Sequence, residues 1–123
     1  MVIDTSALLA ITFNEKRGPW CLDKMQENTK ALRMSTVNLA EAFILIQSKQ
    51  PQLYSEIFAK ILSSSIRFVP PSVKQAEIAA SARIRYPLNL GDCFAYALAK
   101  DEGCTLLSLD TDFKKTDISV ICP

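Results

Sequence analysis

The residues able to do chemistry in this chain are acids, and four of them stand at structurally telling places. Asp4 closes the short apolar run Val2-Ile3, Glu41 sits inside an apolar helical stretch, Asp92 follows Gly91 at a helix start, and Asp110 follows the apolar run ending at Leu109. Asp112 lies two residues further on. The chain has no histidine, which removes Ser-His and Cys-His nucleophile pairs and the paired-imidazole route of metal-free RNA cleavage. It also removes the commonest zinc ligand, and Cys21, Cys93, Cys104 and Cys122 form no CxxC pair that would replace it. Each acid alone has a structural explanation. Glu41 could be a buried acid paired with Arg or Lys, Asp92 a helix cap, and Asp110 and Asp112 ordinary turn residues. Together they suggest carboxylates gathered at one sheet edge, where mutual repulsion is usually relieved by a hard divalent cation. Mg²⁺ takes one or two carboxylates, waters and substrate phosphate oxygens. With two such ions about 3.5–4 Å apart, water is activated and a leaving oxygen stabilised in an in-line displacement on phosphorus.

The elements that would position these acids alternate between strand and helix. After the opening strand, residues 5–13 read as a helix that Thr5 and Ser6 could cap unless they support an ion-binding carboxylate, and Pro19 suits the first turn of a second helix reaching toward Asn28. Residues 31–34 are a strand candidate. Ser35 and Thr36 cap a helix to about Lys49, apolar nearly all round and therefore expected to be buried, with Val37, Ile44 and Leu45 in the core beside Glu41. A helix from Pro51 to about Ser63 carries the stripe Leu53, Ile57, Ile61 and Leu62, and residues 66–69 form a strand stopped by Pro70-Pro71. Ser72 to Gln75 has capping-box spacing before a helix toward Tyr86. The loop 88–91 then leads to Asp92 and a helix closed by Gly103, followed by a strand at 104–109, a turn at 111–113 and a last strand at 118–121. Five short strands separated by helices predict a parallel sheet with helices on both faces, in one domain spanning 1–123. A strand that opens the sequence is expected at the sheet centre, and ligands at the carboxyl ends of the strands.

Composition narrows the setting. Hydrophobic residues make up 49% of the 123, enough for a core, and 14 Lys and Arg against 13 Asp and Glu leave a net charge of +1. No global basic field therefore advertises nucleic-acid binding. The scattered cysteines, the absence of a secretory leader pattern and apolar runs far shorter than about 20 residues predict a cytoplasmic protein with reduced core thiols and no membrane span.

Four motifs carry a resemblance. Val-Ile-Asp4-Thr-Ser-Ala-Leu-Leu-Ala, Ser35-Thr-Val-Asn38-Leu-Ala-Glu41, Leu-Asn-Leu-Gly91-Asp92-Cys-Phe-Ala-Tyr-Ala-Leu-Ala and Leu-Leu-Ser108-Leu-Asp110-Thr-Asp112-Phe closely resemble PIN-domain ribonucleases, and within them the VapC-type toxins of bacterial toxin–antitoxin pairs. The motifs keep the family order and span nearly the whole chain. The resemblance implies a three-layer α/β/α fold with a five-stranded parallel sheet and Mg²⁺- or Mn²⁺-dependent cleavage of RNA. It assigns Asp4, Glu41, Asp92 and Asp110 as catalytic acids and metal ligands, with Asp112 an accessory acid. Thr5, Ser6, Asn38 and Ser108 become supporting or substrate-orienting groups. Many relatives have Gly-Asp-Asp-Phe or Gly-Asn-Asp-Phe in the last motif, so Asp110-Thr111-Asp112-Phe113 leaves open which acid approaches the metal. The resemblance further implies a homodimer inhibited by a VapB-type antitoxin, with any DNA contact made through the antitoxin. Residues 43–46 and 53–62 are candidate partner surfaces, and Arg33, Arg67, Arg83 and Arg85 candidates for RNA phosphates or antitoxin acids. Two other readings remain: a catalytically silent PIN-like interaction module, and a receiver-like or phosphatase-like domain using Asp4 for phosphoryl chemistry. The second leaves Glu41 unexplained and needs a lysine that Lys100, Lys114 and Lys115 do not obviously supply.

Overall fold

The strands of this sheet are very short, and the central ones can be so because they are apolar, parallel to their neighbours and buried on both faces. A computed structural model describes residues 1–28 and 31–123. Its strands are β1 (Val2–Ile3), β2 (Arg33–Ser35), β3 (Arg67–Val69), β4 (Leu106–Leu107) and β5 (Val120–Ile121), all parallel, in the order β3-β2-β1-β4-β5. The opening strand is thus central, with Val2 opposite Arg33 on one side and Leu106 on the other. Crossovers are made by α1 (Thr5–Thr12), α2 (Gly18–Gln26), α3 (Thr36–Lys49), α4 (Tyr54–Leu62), α5 (Val73–Arg85) and α6 (Leu90–Glu102).

Alternation along the strands sends successive side chains to opposite faces. Ile3, Met34 and Leu107 join Ala7, Leu8, Cys21, Leu39, Ala42, Ile46 and Ile61 in a core under α1 to α4. Val2 and Leu106 join Ala79, Ala82, Ala95, Leu98 and Phe113 in a second core under α5 and α6. The result is the three-layer α/β/α arrangement the motifs imply. Among the described residues, no helix is long and apolar enough to cross a membrane.

Several local expectations are corrected. Helix α3 is buried on one face only: Asn38, Leu39, Ala42 and Ile46 point inward, while Ile44 is 66% and Leu45 38% exposed. Its apolar sequence is therefore wider than the face the sheet can cover. Pro51 does not start α4. Residues 51–53 form a turn in which the Leu53 N–H donates to the Gln50 carbonyl at 3.1 Å, and of the expected stripe Ile61 is buried while Leu53 and Leu62 stay exposed. The Ser72 hydroxyl accepts from the Gln75 N–H at 3.1 Å, but the Gln75 side chain donates to Asp101 rather than back to the cap, so only half the expected box forms. The four cysteines are free; Cys21 and Cys93 are core residues, whereas Cys104 and Cys122 are partly exposed.

Candidate active site

Asp4 follows β1 and performs two tasks with one carboxylate. Its Oδ1 caps α1 by accepting the Ala7 N–H at 3.0 Å and also accepts the Ser6 hydroxyl at 2.7 Å. Its Oδ2 accepts the Ser108 hydroxyl from the end of β4. Ser6 in turn accepts the Leu109 N–H at 3.0 Å, and Ser108 accepts the Asp110 N–H at 2.9 Å, so the two serines stitch the β1 and β4 ends together. Asp4 is only 3% exposed and every one of these partners is neutral. Burial, with a smaller contribution from the charge of Asp110, pushes its carboxyl above the usual range despite the three donors.

Glu41 is half-buried on α3, and its Oε1 is held by the Thr5 hydroxyl at 2.8 Å and the Asn38 side-chain amide at 2.9 Å. Thr5 lies within hydrogen-bonding distance of the Asn38 carbonyl as well, at 3.2 Å. The same Asn38 amide donates to the Gly91 carbonyl at 2.9 Å, tying α3 to the first turn of α6. Asn38 is 1% exposed, and its Oδ1 has no hydrogen-bond partner among the described residues. No basic side chain is needed to hold Glu41; a hydroxyl and an amide do so.

Asp92 is not the cap of α6. That place belongs to Asn89, whose side chain accepts the Asp92 N–H at 2.8 Å while the Asp92 Oδ2 accepts the Asn89 N–H at 3.2 Å, a reciprocal capping box. The signal was present as Asn-x-x-Asp spacing. Asn89 and Gly91 are the two site-forming residues that motif reasoning left without a role. Burial pushes the Asp92 carboxyl up to about 6; the Asn89 N–H opposes this, and the charges of Asp110, Asp4 and Glu41 add to it. Asp110 caps a 3-10 helix over Thr111–Lys115, its Oδ1 accepting the Asp112 N–H at 2.9 Å. Asp112 instead pairs with Lys115 at 2.9 Å on that turn.

The four loci named from the sequence thus converge beyond the carboxyl ends of β1 and β4. Asp110 acts on both Asp4 and Asp92, whereas Asp112 is engaged by its own lysine. Among the described residues no three acids stand close enough, as their side chains lie, to ligate one ion; fields rather than shared contacts join them. Even so, a nearly buried carboxylate with only neutral donors, facing other carboxylates, is the environment that a hard divalent cation relieves. The donor set, all oxygen, fits such an ion. Arg33 and Arg67 are not part of this site: both bind Glu102, at 2.7 and 3.2 Å, and they occupy the first positions of β2 and β3, the opposite edge of the sheet.

Comparison with known proteins agrees with the motifs. The model of the PIN domain matches residues 1–119. Ribonuclease VapC42 of Mycobacterium tuberculosis is 34% identical over 131 residues, covering 99% of both chains. The chain belongs to the PIN-domain family, in its VapC branch. The PIN fold is also that of solved structures at lower identity. The M. tuberculosis toxin VapC20, described as cleaving the sarcin-ricin loop, superposes with a TM-score of 0.83 at 17% identity over 99% of this chain and 98% of that one. VapBC2 of Rickettsia felis, bound to a DNA fragment from its promoter, gives 0.83 at 15% identity, covering 98% of this chain and 96% of that one. PIN-domain ribonucleases depend in general on divalent metal ions, which accords with the oxygen-only donor set.

Proposed function

We propose that this PIN domain, residues 1–123, is a Mg²⁺- or Mn²⁺-dependent endoribonuclease, the toxin of a VapBC-type pair. Asp4, Glu41, Asp92 and Asp110 are its catalytic carboxylates. The observation that carries this reading is the gathering of acids from four separated parts of the chain by hydrogen bonds that join the β1 end to β4 and α3 to both α1 and α6, in surroundings where burial raises the carboxyls of Asp4 and Asp92 and the neighbouring acids add to it. These carboxylates would hold the metal, which when bound supplies an activated water and neutralises charge on the scissile phosphate. Ser6 and Ser108 orient Asp4, Thr5 and Asn38 orient Glu41, and the Asn89 cap orients Asp92. Asp112 serves as an accessory, since its pairing with Lys115 keeps it from the other acids. Relatives described as VapBC and toxin–antitoxin complexes, two of them bound to DNA, support a VapB-type antitoxin as partner. In this reading the protein is a cytoplasmic homodimer whose contact with DNA is made through the antitoxin.

The phosphoryl-transfer reading is disfavoured by Lys100 and Lys115, which are bound to Asp117 and Asp112 and do not serve Asp4. The test is RNA cleavage by the purified chain free of antitoxin. Cleavage is expected with Mg²⁺ or Mn²⁺ and none in EDTA or in Asp4→Asn. Undiminished cleavage in EDTA refutes the mechanism.

A further inference from the structure

Of the three glycines in this chain, two are crowded, and they are crowded by different things. A Cβ built on Gly18 would press on the backbone of Ala10, in the connection between α1 and α2. A Cβ built on Gly91 would meet Cδ, Oε1 and Oε2 of Glu41, each closer than 3.0 Å. The space a side chain would fill at position 91 is therefore filled by the carboxyl group of Glu41. The backbone angles of Gly91 do not explain the need for a glycine there, since its φ is not in the left-handed region; the three atoms nearest to the added Cβ all belong to the Glu41 carboxyl group.

We propose that Gly91 is a positioning residue that sets where the Glu41 carboxylate stands, by leaving the room that any larger residue would take. The inference rests on the reading of Glu41 as one of the metal-holding acids and adds a residue to the machinery that orients it. Glu41 is gripped from one side by Thr5 and Asn38, at 2.8 and 2.9 Å, and Asn38 simultaneously grips the Gly91 carbonyl at 2.9 Å. Asn38 thus fixes the separation between the carboxylate and the α6 backbone, and only a residue without a Cβ fits the separation it fixes. A methyl group at 91 has two ways to be accommodated. The helices can move apart, which strains the junction that the Asn38 amide ties at the Gly91 carbonyl. Alternatively the carboxylate, the far end of a flexible side chain, can swing off Thr5 and Asn38. The second displaces fewer atoms, so Gly91→Ala acts on Glu41 rather than on the fold. Gly18→Ala, which meets backbone, has no such escape and acts on the fold.

The test is a cycle of Gly91→Ala, Glu41→Ala and the double variant, read by Mn²⁺ titration, RNA cleavage and the NMR signals of the Asn38 side-chain amide. Mn²⁺ affinity and cleavage are expected to fall by about 10- to 100-fold in Gly91→Ala, as for other groups that orient a metal-binding side chain. Because the substitution works through Glu41, it should change Glu41→Ala by no more than about twofold. The Asn38 amide signals should move in Gly91→Ala toward their positions in Glu41→Ala. Wild-type affinity in Gly91→Ala, or a full further loss in the Glu41→Ala background, overturns the proposal. If Gly91→Ala fails to fold, recovery of folding in the double variant supports the pairing and continued failure overturns it. The amide signals do not depend on nuclease activity. If the wild-type protein neither binds Mn²⁺ nor cleaves RNA, the functional reading fails, while unmoved Asn38 signals in Gly91→Ala would separately defeat the role given to Gly91.

Discussion

Replacing Asp92 with asparagine should make the metal-free protein more stable at neutral pH while weakening its hold on a cation. Burial, together with the charges of Asp110, Asp4 and Glu41, raises the Asp92 carboxyl from 3.8 to about 6. A difference of about 2 pH units corresponds to about 3 kcal/mol at full weight. Asp92 is only half shielded, and solvent screening brings the expected value to about 1–2 kcal/mol. Above the folded-state value Asp92 is ionised in both folded and unfolded chains, and the folded state bears the cost. Below 3.8 both states are protonated and that cost disappears. In between, the folded chain binds the extra proton, so this contribution to stability is lost as pH rises through about 6. Asparagine removes the charge and keeps an oxygen for the Asn89 N–H, so the capping box survives. Thermal unfolding in EDTA at about pH 7.5 should show Tm raised by about 3–10 °C in Asp92→Asn. The gap should close toward about pH 4, where wild-type Asp92 is itself neutral. With a divalent ion at about 100 times Kd, the wild type should gain about 2.7 kcal/mol and the variant less. A variant that melts at or below wild type in EDTA at neutral pH, or a gap unchanged by acid, would refute the raised Asp92 carboxyl.

Asp4→Asn should abolish metal-dependent cleavage yet leave Tm within a few degrees, because the amide oxygen still caps α1; far-UV circular dichroism and an RNA assay decide it. Asp110→Asn should lower cleavage by at least about 10-fold while Asp112→Asn lowers it less, since only Asp110 acts on the other acids; equal losses would return Asp112 to the site. Tyr96→Phe removes the phenol that donates to Asp117 at 2.5 Å, and should cost about 1–3 kcal/mol in urea unfolding with cleavage unchanged.

The order of elements was legible because it depends on local signals. Pro19 inside the first turn of α2, Ser35 capping α3 and Gly103 in the left-handed region closing α6 at φ 64° all act within a few residues, and each stands where the sequence puts it. Asp4, Asp92 and Asp110 stood out because they follow strands or lie at a helix start, and Glu41 because it is a charge inside an apolar helix. What escaped reading depends on partners distant in sequence. The apolar run 43–46 does not reveal that the sheet covers only one face of α3, so Ile44 and Leu45 were expected inside. Arg33 and Arg67 looked available for phosphate until the topology put Glu102 against them. The structural alternative for Asp92, a helix cap, falls because the cap lies three residues earlier at Asn89, where an ordinary polar residue hides in a loop. Gly91 could be noticed as a glycine, but its reason stands 50 positions away, in Glu41.

The place of β1 in the sheet has a consequence for when this molecule becomes dangerous. The first strand made is the middle one, flanked by β2 and by β4, and Asp4 is completed by a serine 104 residues later. During synthesis, which runs from the N-terminus, Asp4, Glu41 and Asp92 are all made before Ser108 and Asp110 exist to close around the first of them. A partial product is a set of acids without a site. In a chain whose activity is the cutting of RNA, that ordering ties completion of the nuclease site to the docking of β4 beside β1.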